Sequence, residues 1–151
     1  MIELNSHSWP FKIDEIHDFA YVENFLSKEE CEEIIKIGNN KRINEATVFG
    51  KDNLSVQRNI RKSKVAWLGN RDLPKLYPKL TDTIMALNEK FFKFDLHGFE
   101  EGIQFTIYDG KGAKYGKHVD RGLDMKVRKL SITIELSDPS KRKGGDLRLI
   151  T

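Results

Sequence analysis

The sequence predicts an α+β domain, with helices in its first hundred residues and antiparallel strands after them. Three observations carry this. Apolar residues recur at helical spacing around Cys31–Ile35 and from Leu80 to Phe91. From Gly98 onward apolar and polar residues alternate, first over 103–108 and again over 130–136. Turn-forming clusters, Asp109-Gly110-Lys111-Gly112 and Asp138-Pro139-Ser140, separate the alternating runs. Helices followed by strands point to α+β, or to a β-sandwich with a helical flank. A length of 151 residues suits one domain. Residues 1–97 read as a supporting region and residues 98–151 as the strand-rich part.

Taken in order, Phe19 to Val22 reads as a short strand. Ser27 and Glu30 then form an S-x-x-E capping box, in which each side chain answers a free amide at a helix start. Leu26 and Cys31 stand where a hydrophobic staple closes, Cys31, Ile34 and Ile35 share one face, and Gly38 suits the C-terminal cap. Cys31 is thereby a packing residue rather than a reactive thiol. Ile60 to Leu68 is expected to be a strand. A second helix covers about 78–92, with Leu80, Ile84, Leu87 and Phe91 on its apolar stripe and Pro78 in its first turn. The aromatic cluster Phe91, Phe92 and Phe94 reads as core. Strands follow at Ile103–Tyr108, Tyr115–Asp120, Leu130–Leu136 and from Asp146 onward.

Composition narrows the function classes. The hydrophobic fraction of 38% with nine Phe can build a core, and 26 basic against 23 acidic residues give a net charge of only +3. Charge alone gives no reason to propose a nucleic-acid partner. The basic residues Lys126, Arg128, Lys129, Lys141, Arg142 and Lys143 flank turns and read as a solvated surface. A single Cys forms no internal disulfide and excludes a thiolate metal cluster. No apolar run approaches the roughly 18 residues of a membrane span. Met1 to Pro10 lacks the basic-then-apolar order of a signal peptide, so a cytoplasmic location is expected.

The chemistry concentrates at His118-Val119-Asp120. A His and an Asp two apart on extended chain point to the same side. They would present an imidazole and a carboxylate to one divalent metal. A bare H-x-D is a weak pattern, equally satisfied by a surface His beside a solvated Asp. Its setting strengthens it. The polar faces of the flanking runs (Gln104, Thr106 and Tyr108; Ser131, Thr133 and Glu135) line either a ligand cavity or a solvent-exposed sheet.

The stretch from Tyr108 through the Gly110–Gly112 turn and Tyr115 to His118 and Asp120 resembles the metal-binding segment of prolyl-hydroxylase-type 2-oxoglutarate/Fe(II) dioxygenases. Arg128-Lys129-Leu130-Ser131, Leu136-Ser137-Asp138-Pro139 and Gly144-Gly145-Asp146-Leu147 continue the likeness. So do Asn24-Phe25-Leu26-Ser27 and Arg61-Lys62-Ser63 ahead of Trp67-Leu68. Four linked motifs in order are far more specific than the tripeptide.

The resemblance implies a distorted double-stranded β-helix of the jelly-roll and cupin-like kind, with N-terminal flanking helices and residues 98–151 as the first part of its core. It implies that His118 and Asp120 ligate Fe(II). Tyr108 would help hold 2-oxoglutarate, and Tyr115 would either shape the pocket wall or pack at the turn. Gly144 and Gly145 are expected to allow close backbone approach at a strand start. The implied reaction is hydroxylation of a C–H bond, of a prolyl residue in a protein or peptide, with release of succinate and carbon dioxide. Ascorbate is a further cofactor by resemblance.

The family also has a second His on a later strand and, beyond it, an Arg or Lys that pairs with the far carboxylate of 2-oxoglutarate. His7, His17 and His97 all precede His118 and match neither position. The β-helix is therefore expected to be incomplete in its second half, as in the front part of a longer enzyme. On this reading the 151-residue chain binds Fe(II) and 2-oxoglutarate weakly, and its open strand edges invite self-association. Two other classes stay open: a non-catalytic β-helix module that lacks the distal ligand, and a nucleic-acid binder using the basic residues above.

Overall fold

A computed structural model describes residues 17–50, 53–55, 60–120 and 127–150. Helix α1 spans Lys28–Asn39, and its start is as the sequence dictates. Ser27 Oγ accepts from the Glu30 amide at 3.2 Å, and the Ser27 amide donates to Glu30 Oε2 at 2.7 Å. Gly38 does not cap this helix; it lies buried inside it, and Asn40 follows as the C-cap. The reason is tertiary. A side chain at Gly38 would run into the ring of Phe105, whose Cε1 lies 2.6 Å from where a Cβ would stand. Cys31 is half-buried, and desolvation pushes its thiol pKa above the ordinary value, consistent with packing.

Strand β1 (Asn44–Glu45) is followed by an antiparallel pair, β2 (Val48–Gly50) and β3 (Asn53–Ser55). The run expected as one strand over 60–68 is two: β4 (Arg61–Lys62) and β5 (Lys64–Leu68). Ser63 divides them because its carbonyl accepts from Ala46 at 3.0 Å while its hydroxyl accepts from Arg61. Helix α2 (Leu76–Leu87) runs on through a π-helical turn at Asn88–Phe92. Lys93, in the left-handed region at φ 55°, ends it. Buried Asn88 clamps the exit, accepting from the Phe94 amide at 2.9 Å and donating to its carbonyl at 2.8 Å. Strands β6 (Ile103–Ile107) and β7 (Lys114–Tyr115) complete the ladders.

The sheet order is β1-β5-β6, all antiparallel, with β4 paired to β7. Strand alternation then separates two faces. Ala66, Leu68 and Phe105 point to one side and meet Ile34 of α1 with Leu73, Leu76 and Leu80. Lys79 joins the helices through Glu30 at 3.0 Å. The opposite face carries Arg61, Ser63, Trp67, Gln104 and Thr106 on the same alternation.

Four segments differ from expectation. Phe19–Val22 forms no strand; Phe19, Tyr21 and Val22 are exposed and have no ladder partner. Of the run Tyr115–Asp120 only Tyr115 lies in a ladder among the described residues, opposite Arg61, and the Gly116 amide donates to the Ile60 carbonyl at 2.8 Å. Residues 130–136 join no ladder among the described residues, although Ile134 and Leu136 pack against the core cluster. Residues 146–150 likewise lie outside any ladder, with Leu147, Leu149 and Ile150 exposed. Alternation marked the apolar side correctly at Ile134 and Leu136, but a strand also needs a neighbour for its amides. Gly144 and Gly145 serve conformation rather than close approach: both sit near φ +78°, and nothing lies within 4 Å of the Cβ position at Gly144. Among the described residues no helix is long and apolar enough to cross a membrane.

Candidate functional site

The β4–β7 register sets Arg61 opposite Tyr115. The Arg61 guanidinium lies over the Tyr115 ring, 4.5 Å from its centroid. The His118 imidazole stacks on the same ring at 3.6 Å and 15°. A ring already covered that closely by an imidazole leaves its other face for the guanidinium. Arg61, Tyr115 and His118 thus form a column, with the cation and the imidazole on opposite sides of one phenol.

His118 is held at three points. Besides the stack, Nδ1 lies 2.7 Å from the Gly116 carbonyl, and Nε2 lies 3.0 Å from Asp120 Oδ1. The carbonyl can only accept, so Nδ1 carries the hydrogen. In the neutral ring Nε2 is then a bare lone pair facing a carboxylate oxygen. Two acceptors at that distance need a proton or a metal ion between or beside them. Two ligands at ~2.1 Å in adjacent octahedral positions stand ~3.0 Å apart, so the spacing suits one edge of such an ion. A ligating His also characteristically donates its other N–H to a carbonyl or carboxylate. The donor pair therefore fits half of a mixed His/carboxylate metal site. Among the described residues no group of three His, Cys, Asp or Glu side chains converges.

Arg128 steadies this segment from behind. It pairs with Glu101 at 2.6 Å and donates to the Asp120 carbonyl at 3.3 Å. Arg142 faces Glu135 and Asp146 at 3.9 and 3.4 Å. Two members of the basic set flanking the turns are thus engaged with carboxylates; Lys126 lies outside the described residues, as does His7.

Tyr108 borders the same polar face, half exposed. Burial raises its phenol pKa, and nearby Tyr115 adds to this, against an opposing charge and hydrogen bond from Arg61. Tyr108 is therefore a neutral donor at any physiological pH. Arg61 is almost fully buried and donates to Ser63 Oγ at 3.0 Å and Gln104 Oε1 at 2.5 Å. Its part in the site was not apparent from the sequence beyond the Arg61-Lys62-Ser63 motif. The available signal was the i, i+2 alternation, which puts Arg61 and Ser63 on one side. A small pocket of about 100 Å³ opens here, lined by Arg61 to Lys64 with Glu45, Ala46 and Asp109.

The structure therefore brings His118, Asp120 and Tyr115 into direct contact, with Tyr108 joined to them through Arg61. His17 lies apart, edge-on to Phe91 at 5.1 Å, and His97 lies 3.7 Å from Asp95, with both of these last two side chains nearly fully exposed. No family model, curated protein or solved structure matches this chain.

Proposed function

We propose that this protein is a 2-oxoglutarate- and Fe(II)-dependent dioxygenase of the prolyl-hydroxylase type, acting on a C–H bond of a prolyl residue in a protein or peptide. The observation that carries the reading is the His118 arrangement: Nδ1 committed to the Gly116 carbonyl, and Nε2 turned to Asp120 at 3.0 Å. Fe(II) with 2-oxoglutarate and oxygen would supply oxidative decarboxylation coupled to hydroxylation, giving succinate and carbon dioxide.

The chain's own residues do the rest. Asp120 supplies an anionic donor and His118 a neutral one. The Gly116 carbonyl fixes the tautomer that leaves Nε2 free. Tyr115 backs the imidazole and keeps water from one face. Tyr108, held neutral, donates a hydrogen bond to the cosubstrate. The β1-β5-β6 sheet with its two helices is, on this reading, the buttressed wall of a double-stranded β-helix.

Mn(II) binding followed by electron paramagnetic resonance tests this on the 151-residue chain. His118→Ala and Asp120→Ala should each weaken binding by at least about 10-fold, and 2-oxoglutarate should tighten it in the parent. Mn(II) affinity unchanged in both variants would remove the reading. A non-catalytic module would instead bind the metal and release no succinate from 2-oxoglutarate when supplied with Fe(II) and oxygen.

A further inference from the structure

Residues 129–135 carry the alternation of a strand without the partner of one. Ile134 and Leu136 are half-buried against the core cluster, while Thr133, Glu135 and Ser137 between and beside them are exposed. That is the two-residue period of a strand with one side on the core and the other in water. Yet among the described residues no backbone amide or carbonyl of 129–135 takes a hydrogen bond. Ile132 stands on the apolar side of the same alternation and is 49% exposed.

An open edge of this kind is normally guarded by a proline, a bulge or an inward charge. The segment contains neither Pro nor Gly, and its charges stand at its two ends with opposite sign, Lys129 and Glu135. Lys129 makes no ion pair among the described residues. Glu135 accepts from the Ser137 amide through Oε1 at 3.1 Å, and Arg142 lies 3.9 Å from Oε2. A carboxylate offers about four acceptor positions, so room remains for an ammonium group.

These residues complement themselves. Two identical segments paired antiparallel about a two-fold axis repeat every contact twice. With the axis at Ile132, Lys129 stands opposite Glu135 of the other copy, Leu130 opposite Ile134, and Ser131 opposite Thr133. Registers centred on Ser131 or Thr133 also match apolar to apolar, but they set both charges opposite uncharged residues. A one-residue slip between these registers sets apolar residues against polar ones. Residues directly opposite share a face, so both copies turn Leu130, Ile132 and Ile134 to one side. The exposed Ile132 then meets its own copy on the axis.

We propose that residues 129–135 form an isologous interface, in which two copies of this chain pair antiparallel about a two-fold axis at Ile132. The inference uses no residue of the metal pair and stands apart from the proposed reaction.

The test follows the full chain by analytical ultracentrifugation in EDTA, so that no metal bridges copies. A reversible dimer is expected between about 1 and 500 µM, the range of a short interface. Lys129→Glu and Glu135→Lys each set like charges opposite one another at two places and should weaken dimerisation at least about 10-fold. The double swap should recover most of that loss. Circular dichroism at about 1 µM checks that each variant is folded as a monomer. Ile132→Cys gives a second, independent reading. Its opposed Cβ atoms would stand ~4.5–5.5 Å apart, so diamide should link the copies covalently. Thr133→Cys, whose copies would stand ~7–8 Å apart, should not crosslink, nor should the parent, whose single thiol is the half-buried Cys31. A chain that stays monomeric to about 500 µM overturns the proposal. So does a dimer indifferent to both charge changes, a double swap no tighter than the single variants, or crosslinking at Thr133→Cys in place of Ile132→Cys.

Discussion

Gly38→Ala should destabilise this protein, against the usual sign. Alanine in a helix interior normally gains ~0.5–1 kcal/mol over glycine. Here the new Cβ would stand 2.5 Å from Phe105 Cγ and 2.6 Å from Cε1. Carbon pairs prefer ~3.5–4.0 Å, so the ring must retreat by about 1 Å. Phe105 cannot retreat alone. It lies buried at the centre of β6, paired across the sheet with Ala66, which is itself fully buried. Overpacking of this kind costs ~1–3 kcal/mol, leaving a net loss of up to about 2.5 kcal/mol, and about 1 kcal/mol in mid-range, after the helical gain. With a urea slope of about 2 kcal/mol per molar, the mid-range loss lowers the midpoint by about 0.5 M. The second arm is Phe105→Leu, which removes the ring. In that background Gly38→Ala should become neutral or stabilising. A raised urea midpoint for Gly38→Ala in the parent, or strictly additive effects of the two changes, would refute the argument.

The other expectations concern the helix exit, the helix start and the site. Asn88→Ala should cost ~2–4 kcal/mol in urea melts, because two buried bonds to the Phe94 backbone are lost together. Asn88→Asp keeps the acceptor and should cost less; equal losses would put the effect elsewhere. Glu30 has its pKa lowered from 4.5 by the Ser27 amide and then by Lys79. A depressed carboxylate stabilises the fold above pH 4.5 and loses that contribution as pH falls through the lower folded value. Glu30→Gln should therefore flatten the stability profile in that acid window, and an unchanged profile would count against the capping bond. Tyr115→Leu should weaken Mn(II) binding, whereas Tyr115→Phe should spare it, since only the ring stacks on His118. Equal Mn(II) affinity in Tyr115→Leu and the parent would show that the stack does not position the imidazole.

Local chemistry was legible in the sequence, and pairing was not. The capping box at Ser27 and Glu30 involves residues three apart, and it holds. The i, i+2 rule put His118 and Asp120 on one side, and their atoms do meet, although the segment is not a strand. Gly38 was misread because the residue that needs its hydrogen, Phe105, belongs to a distant strand. The break at Ser63 depends on the Ala46 amide, and the role of Arg61 depends on the β4–β7 register. The first leaves no mark in its own neighbourhood, and the second only the alternation that sets Arg61 and Ser63 on one side. Residues 130–136 show the limit of periodicity: alternation names the buried side at Ile134 and Leu136 but supplies no partner for their amides.

The two faces of one sheet explain how so small a fold carries a costly site. On the helix side Ala66, Leu68 and Phe105 are packed tightly enough that Gly38 must lack a side chain. On the other side the same strands, through Gln104 and the Arg61–Ser63 step, hold the buried Arg61 by hydrogen bonds to Ser63 Oγ and Gln104 Oε1. Rigid packing at Phe105 keeps its neighbour Gln104 in place, and Gln104 is the strongest geometric tie on Arg61 at 2.5 Å. The Arg61–Tyr115–His118 column then carries that fixed point to the imidazole. A loosely packed sheet would let Arg61 swing out to water and relieve its charge, and the column would lose its anchor.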